Sequence, residues 1–309
     1  MLGRVVVVMF NTYREAVRAK ILHGLFAMAL ATTGYAVVVG QFTQGSGRVL
    51  SNLGSAALSL YGTFVAIVLS ATALHRELEL KTIFPILARP ISRTEYLVGK
   101  YLGTVVTLAV FVAGNAAVLL AALAATGTDA GIQVAAAAVL AIAGAALLGW
   151  RVPRTRTLAP LFAALVLLVS AWLLCAEAPD DRRVVAFSSL LTLLEIMIVA
   201  AVATLFSSFS TPFLTAVLTL GVFLVGRSAD TLAQLPARVF GEPVHRAGEL
   251  LSRVVPNLMI YVPERALLTG EAVSVSSFAY TGRAALAAFG WSLALLSVAS
   301  LVFRRRDLV

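Results

Sequence analysis

Between Val184 and Gly226 the chain carries one charge, Glu195, set in the apolar run LLTLLEIMIV. An ionised carboxylate in the middle of a membrane span costs roughly 2.5–3.5 kcal/mol on insertion scales unless it is paired or protonated. Two chemistries fit such a residue. It is either a proton or ion site, or a hydrogen bond between helices, with Asn115 or a Ser or Thr as its partner. Asn115 lies in another apolar run and reads as interhelical glue. The other concentration of reactive groups is HRELELKTIFPILARPISRTEYLVGKYLG, residues 75–103, a dense block of charge between two long uncharged segments. Arg48 is the last charge before it, and after Lys100 none appears until Asp129.

The chemistry of that block is recognition. Ser92 followed by Glu95 is a capping box, in which the serine hydroxyl accepts from a backbone N–H while the glutamate reaches back to the N–H of the serine. A helix should therefore start at Ser92, well before the membrane. Pro90 cannot continue a preceding helix and disfavours helix at Arg89, so Thr82–Leu87 becomes a short separate element with a sharp break after it. Such an element, flanked by Arg and Lys, suits the groove of a cytoplasmic partner. The plainer alternative is a solvated loop whose positive charges only set topology.

Catalytic constellations are missing from the sequence. It contains no G-x-x-x-x-G-K-[ST] phosphate loop, so no ATP hydrolysis is expected from this chain alone. His23, His75 and His245 lie far apart without an H-E-x-x-H pattern, which argues against an intramembrane metalloprotease, and no metal ligands are expected. No serine has a convincing base partner. Cys175 is the single cysteine and cannot form an intrachain disulfide.

The elements that position these groups are membrane helices. Hydrophobic residues make up 60% of the chain against 13% charged, and the mean hydropathy is +0.94, which fixes an all-α, polytopic transmembrane helix bundle. Uncharged runs long enough to cross a bilayer lie near 21–41, 55–74, 101–124, 132–150, 157–176, 184–206, 212–226 and 284–303, giving eight spans. The segment SSFSTP, ending in Pro212, is the natural turn between the sixth and seventh. Six spans, with residues 132–176 packed as a re-entrant pair, is the competing count.

Orientation follows from Lys and Arg in short loops. With the N-terminus inside, the cytoplasmic segments hold Arg4, Arg14, Arg18, Lys20, Arg76, Lys81, Arg89, Arg93, Lys100, Arg151, Arg154, Arg156, Arg304, Arg305 and Arg306. The short external loops hold only Arg48, Arg182 and Arg183. This bias places both termini in the cytoplasm and the long segment 227–283 outside. The net charge of +9 sits in short clusters at the ends of apolar runs, where anionic lipid and topology account for it, so nucleic acid is not an expected partner.

Two amphipathic stretches are not spans. In residues 5–18, Val5, Val8, Met9, Tyr13, Ala16 and Val17 share one helical face opposite Asn11, Arg14, Glu15 and Arg18. That is the signature of a helix lying in the membrane interface. Its apolar core is too short for a removed signal peptide, and no small-residue cleavage site follows it. Between Pro243 and Pro256, Val244, Ala247, Leu251 and Val254 oppose Arg246, Glu249 and Arg253, predicting an external helix on the membrane or capping the bundle. Gly99 and Gly103 have G-x-x-x-G spacing, a weak signal in a chain so rich in small residues.

Several blocks in fixed order carry a resemblance: NTYREAVRAKIL, ELELKTIFPILARPISRTEYLVGKYLG, LLEIMIVAAVATLFSSFSTPFLTAVLTLG, VPNLMIYVPE and FRRRDL. Together, over residues 1–128 and 184–309, the chain resembles permease subunits of ATP-binding cassette exporters of the type-2 permease family. The similar branch includes the nitrous-oxide-reductase maturation and gliding-motility permeases. The resemblance implies that residues 76–90 form a coupling helix touching a separate cytoplasmic ATPase, which binds ATP and Mg, with no cofactor in this chain. It implies that the N-terminal helix is the interfacial elbow and that two permease copies pair in a bacterial inner membrane. Arg76, Glu77, Glu79, Lys81, Thr82, Arg89, Pro90 and Arg93 are then the ATPase-coupling residues.

The domain reading is 1–20 elbow helix, 21–129 first transmembrane part with coupling loop 75–98, 130–183 added hairpin, and 184–309 second transmembrane part with external loop 227–283. The added hairpin, turning at RVPRTR, departs from the usual six spans of the family. An ATP-independent carrier using Glu195 as its ion or proton site is the alternative function, and a non-transporting membrane anchor for an ATPase is a third.

Overall fold

The computed structural model describes residues 2–43, 46–79, 91–127, 133, 136, 140, 144, 158–176, 178–234, 242–271 and 276–305. Among them there is no strand, and the chain is an all-α polytopic membrane bundle. In chain order the helices are α1 (Leu2–Val17), α2 (Lys20–Gln41), α3 (Ser46–Glu79), α4 (Arg93–Gly127), α5 (Ala159–Leu174) and α6 (Pro179–Ser207). They continue with α7 (Pro212–Arg227), α8 (Ala229–Ala233), α9 (Glu242–Val254), a 3₁₀ turn (Met259–Tyr261), α10 (Arg265–Thr269) and α11 (Ser277–Arg305).

Five of these, α2, α3, α4, α6 and α11, are long and apolar enough to cross a membrane, while α5 and α7 are shorter apolar helices. At 16 residues each, α5 and α7 reach about 24 Å, short of a hydrocarbon core of about 30 Å. The expected span at 132–150 lies outside the described residues apart from four isolated positions. Its partner in the hairpin, α5, packs along α4, where Ala171 and Cys175 meet Leu119, Leu120 and Leu123.

Helix ends differ from the span ends read off the sequence. Helix α3 begins at Ser46, not near residue 55, and α4 has 35 residues, each rod reaching about 50 Å. Arg48 lies within α3 rather than in a loop, and α6 starts at Pro179, carrying Asp180 and Asp181 in its first turn. Hydropathy marks only the lipid-facing length, whereas the backbone stays helical past the membrane until a cap or proline stops it. The turn at SSFSTP illustrates such a stop. Ser208, Phe209 and Ser210 donate back to the carbonyls of Leu205 and Phe206, Thr211 is extended, and Pro212 opens α7 where its missing N–H costs nothing.

Helix α6 is the centre of the bundle, and every residue from Leu194 to Thr204 is buried. Its largest contact is with α3, and α11 and α4 close two further sides. Helix α11 shows the membrane pattern of packing. Ala284, Ala288, Ser292 and Ala299 point inward, while Phe278, Leu286, Phe289 and Leu293 are exposed. In lipid, large apolar groups gain little by turning inward, so close packing of small residues holds the helices together.

Candidate functional site

Two regions of the bundle gather the polar groups. The first lies where the described chain leaves α3 and re-enters at α4. Arg76, Glu77 and Glu79 fall in the last turns of α3, with their side chains outside the described set, and Lys81, Thr82, Arg89 and Pro90 lie outside the described residues altogether. Past the loop the chain is firmly seated. Glu95 N–H donates to Ser92 Oγ at 3.2 Å, and Ser92 N–H donates to Glu95 Oε2 at 2.8 Å, so both bonds of a capping box are made. Arg93 Nη1 donates to the carbonyls of Phe303 (3.3 Å) and Arg304 (3.1 Å). These carbonyls lie in the last described turn of α11, so Arg93 ties the start of α4 to that end of α11. Thr94 and Ser300 hydroxyls add a bond of 2.9 Å between the same helices.

Helix α1 grips α4 from another side. A Cβ on Gly99 would sit 2.7 Å from Val8 Cβ, and one on Gly103 would sit 2.6 Å from the Met9 carbonyl oxygen. The G-x-x-x-G spacing is therefore the seat of the amphipathic N-terminal helix, whose Val8, Thr12, Tyr13 and Ala16 are buried. Between the two glycines, buried Lys100 places Nζ 3.4 Å from Glu15 Oε2.

The second region is in the bundle interior. Glu195 has no exposed surface, and its partner is Arg227 at the end of α7, which the sequence reading had assigned to the external segment. Arg227 Nε donates to Glu195 Oε1 at 2.7 Å and Nη2 donates to Oε2 at 3.0 Å. Ser59 Oγ closes a triangle, donating to Oε2 at 3.1 Å and accepting from Arg227 Nη2 at 2.6 Å. A forked guanidinium–carboxylate pair of this kind neutralises the acid and fixes its orientation. Asn115 takes no part, since its Nδ2 donates to Phe111 O on its own helix at 2.8 Å.

Ser59 belongs to a polar seam on α3. Ser55 meets Ser188 of α6 at 2.8 Å, and Ser51 Oγ donates to Asp181 Oδ1 at 3.0 Å. Asp181 also pairs with Arg265, whose Nη1 donates to Ser51 Oγ at 3.0 Å and Asn52 Oδ1 at 2.9 Å. The seam ends at the opposite end of the bundle from the capping box of α4. There the segment after α9 folds inward. Leu258 N–H donates to Gly226 O at 3.0 Å, and the Tyr261 hydroxyl donates to Ala284 O at 3.1 Å. Burial, and then the charge of Glu195, pushes the Tyr261 phenol up to about 12, so it stays a neutral donor.

Between seam and inward segment lies a cavity of about 650 Å³, bordered by α3, α6, α7 and residues 259–268. Its size is that of a small-molecule site. Among the described residues no group of three or more His, Cys, Asp or Glu side chains is placed to hold a metal.

Long apolar helices around a buried ion pair define a multi-pass membrane protein. The model of ABC-2 family transporter proteins matches residues 3–308, so the chain belongs to this family and is the permease component of an ABC transporter. Such permeases are the membrane parts of transporters that associate with an ABC ATPase subunit. No curated protein matches the chain.

Four residues of these polar clusters escaped the sequence reading: Ser59, Arg227, Asp181 and Arg265. One signal was present. An acid inside a span needs a counter-charge, and Arg227 closes a span too short to carry it clear of the membrane.

Proposed function

We propose that the chain is the permease of an ABC exporter of the bacterial inner membrane, working as a pair of permease copies with two cytoplasmic ATPase subunits. ATP and Mg bind the ATPase, not this chain. Residues 1–20 are the elbow, 21–129 the first transmembrane part with coupling loop 75–98, 130–183 an added hairpin, and 184–309 the second part with external loop 227–283. The branch of nitrous-oxide-reductase maturation and gliding-motility permeases is the one it resembles.

The observation that carries this reading is the seating of the helices on either side of residues 80–90. They have 34 and 35 residues, and the second is capped by Ser92 and Glu95, tied to α11 by Arg93 and gripped by α1. A push from a closing ATPase dimer on Arg76, Glu77, Glu79, Lys81, Thr82, Arg89 and Pro90 then passes into rigid rods instead of dissipating in a flexible root. Tilting of those rods moves a substrate outward. The Arg227 pairing favours this over an ATP-independent carrier, because a neutralised, triply hydrogen-bonded Glu195 is poorly suited to shuttle protons.

The test is transport in proteoliposomes holding the chain, its ATPase and ATP without a pH or ion gradient. ATP-dependent movement is expected. Movement that needs a gradient and ignores ATP overturns the exporter reading.

A further inference from the structure

The cavity between α3, α6 and α7 has a sidedness of charge that selects its occupant. Its described lining includes two cations, Arg227 and Arg265, and no acidic side chain. The compensating acids stand behind them. Glu195 is wholly buried while 23% of the Arg227 side chain is exposed, and Asp181 is less exposed than Arg265. Each ion pair therefore turns its positive end toward the cavity, where a low dielectric magnifies the residual field. Ser55 and Ser188 lie beside the cations, and Ala56, Leu60, Val184, Phe223, Val262 and Leu268 supply apolar wall.

We propose that this cavity binds an amphipathic anion: an apolar chain along the wall, with a carboxylate or phosphate head drawn in by the positive ends that Arg227 and Arg265 turn toward the cavity. Arg227 meets such a head through Nη1, because its Nε and Nη2 are engaged by Glu195 and Ser59. A cationic head would face two like charges, and a headless alkyl chain would leave the polar end of the cavity unmatched. The site goes beyond the transport reading and needs no ATPase to be occupied.

The experiment uses the full chain in phosphatidylcholine nanodiscs, with binding corrected for partition into protein-free discs. Dodecyl phosphate and dodecanoate should bind at least about tenfold more tightly than dodecyltrimethylammonium or dodecanol, the loss expected for one charged hydrogen bond. The ratio between the two anions distinguishes a phosphate-headed from a carboxylate-headed ligand. Glu195→Gln unmasks Arg227 and should tighten anion binding several-fold. The double substitution Asp181→Asn with Arg265→Gln, which removes both charges together, should weaken it about tenfold without leaving a charge unpaired. Ala56→Trp, which fills the cavity, should abolish it. Should Glu195→Gln fail to fold, the Asp181 and Arg265 pair tests the charge of the cavity by itself. Equal binding of cationic and anionic probes, an unchanged affinity in Ala56→Trp, or displacement by inorganic phosphate at matched concentration overturns the proposal. Because no ATPase is present, each of these results leaves the exporter reading standing.

Discussion

Glu195 and Arg227 are 32 positions apart in sequence, yet Arg227 Nε lies 2.7 Å from Glu195 Oε1, across the turn that joins α6 to α7. The turn at Ser208–Pro212 sends α7 back along α6, and α7 stops after 16 residues with its last side chain still within reach of the α6 interior. A span too short for the membrane thus delivers the cation that the buried acid needs.

Breaking that pair from one side should be costly. Arg227→Ala leaves a buried carboxylate without its counter-charge, a change worth about 3–5 kcal/mol. Glu195→Gln together with Arg227→Gln removes both charges and should lose much less. Thermal unfolding midpoints of the three proteins in one detergent test this, and equal losses for single and double variants would contradict a direct pair.

The seat of α1 on α4 is steric. Gly103→Leu places a side chain where Met9 O and Thr12 now lie, and overpacking of that kind costs about 1–3 kcal/mol. We expect membrane insertion to persist while stimulation of the partner ATPase falls. Accessibility of a Thr12→Cys reporter to a soluble thiol reagent reads the displacement, and a reporter that stays protected would rule it out.

Arg89 and Arg93 should behave differently despite their shared charge. Arg89→Glu is expected to weaken co-purification with the ATPase and leave stability unchanged. Arg93→Glu should also lower the unfolding midpoint, since Arg93 donates to two carbonyls at the end of α11. If both variants bind the ATPase like the parent, loop 75–98 is not the docking element.

Topology of the added hairpin is open to direct labelling. In a Cys175→Ala background, Asp129→Cys and Thr155→Cys should react with a membrane-impermeant thiol reagent from opposite sides. Reaction of both from the outside would make the hairpin re-entrant and leave six spans.

The all-α class, the turn before Pro212, the capping box and the amphipathic faces of α1 and α9 were all legible, because each depends on residues within a few positions of one another. The exposed Leu251 and Val254 of α9, for instance, sit at the spacing that predicted an apolar face. What escaped depends on distant segments meeting. Ser59 and Arg265 are ordinary residues in sequence and acquire roles only when α3, α6 and the segment after α9 come together. Helix ends escaped for another reason. Arg48 and Asp181 look like loop charges to a hydropathy scan, yet helices continue past the lipid to carry them.

The contact of α1 with Gly99 and Gly103 divides α4 unequally. Measured from the middle of that contact, about 12 Å of helix runs toward Arg93 and about 39 Å toward Gly127. A rocking motion about this point makes α4 a lever with a mechanical advantage of about one to three. With such a rocking motion, a displacement of 1 Å at the Arg93 end would become about 3 Å at the far end, gearing small strokes on one side of the bilayer up into larger ones on the other.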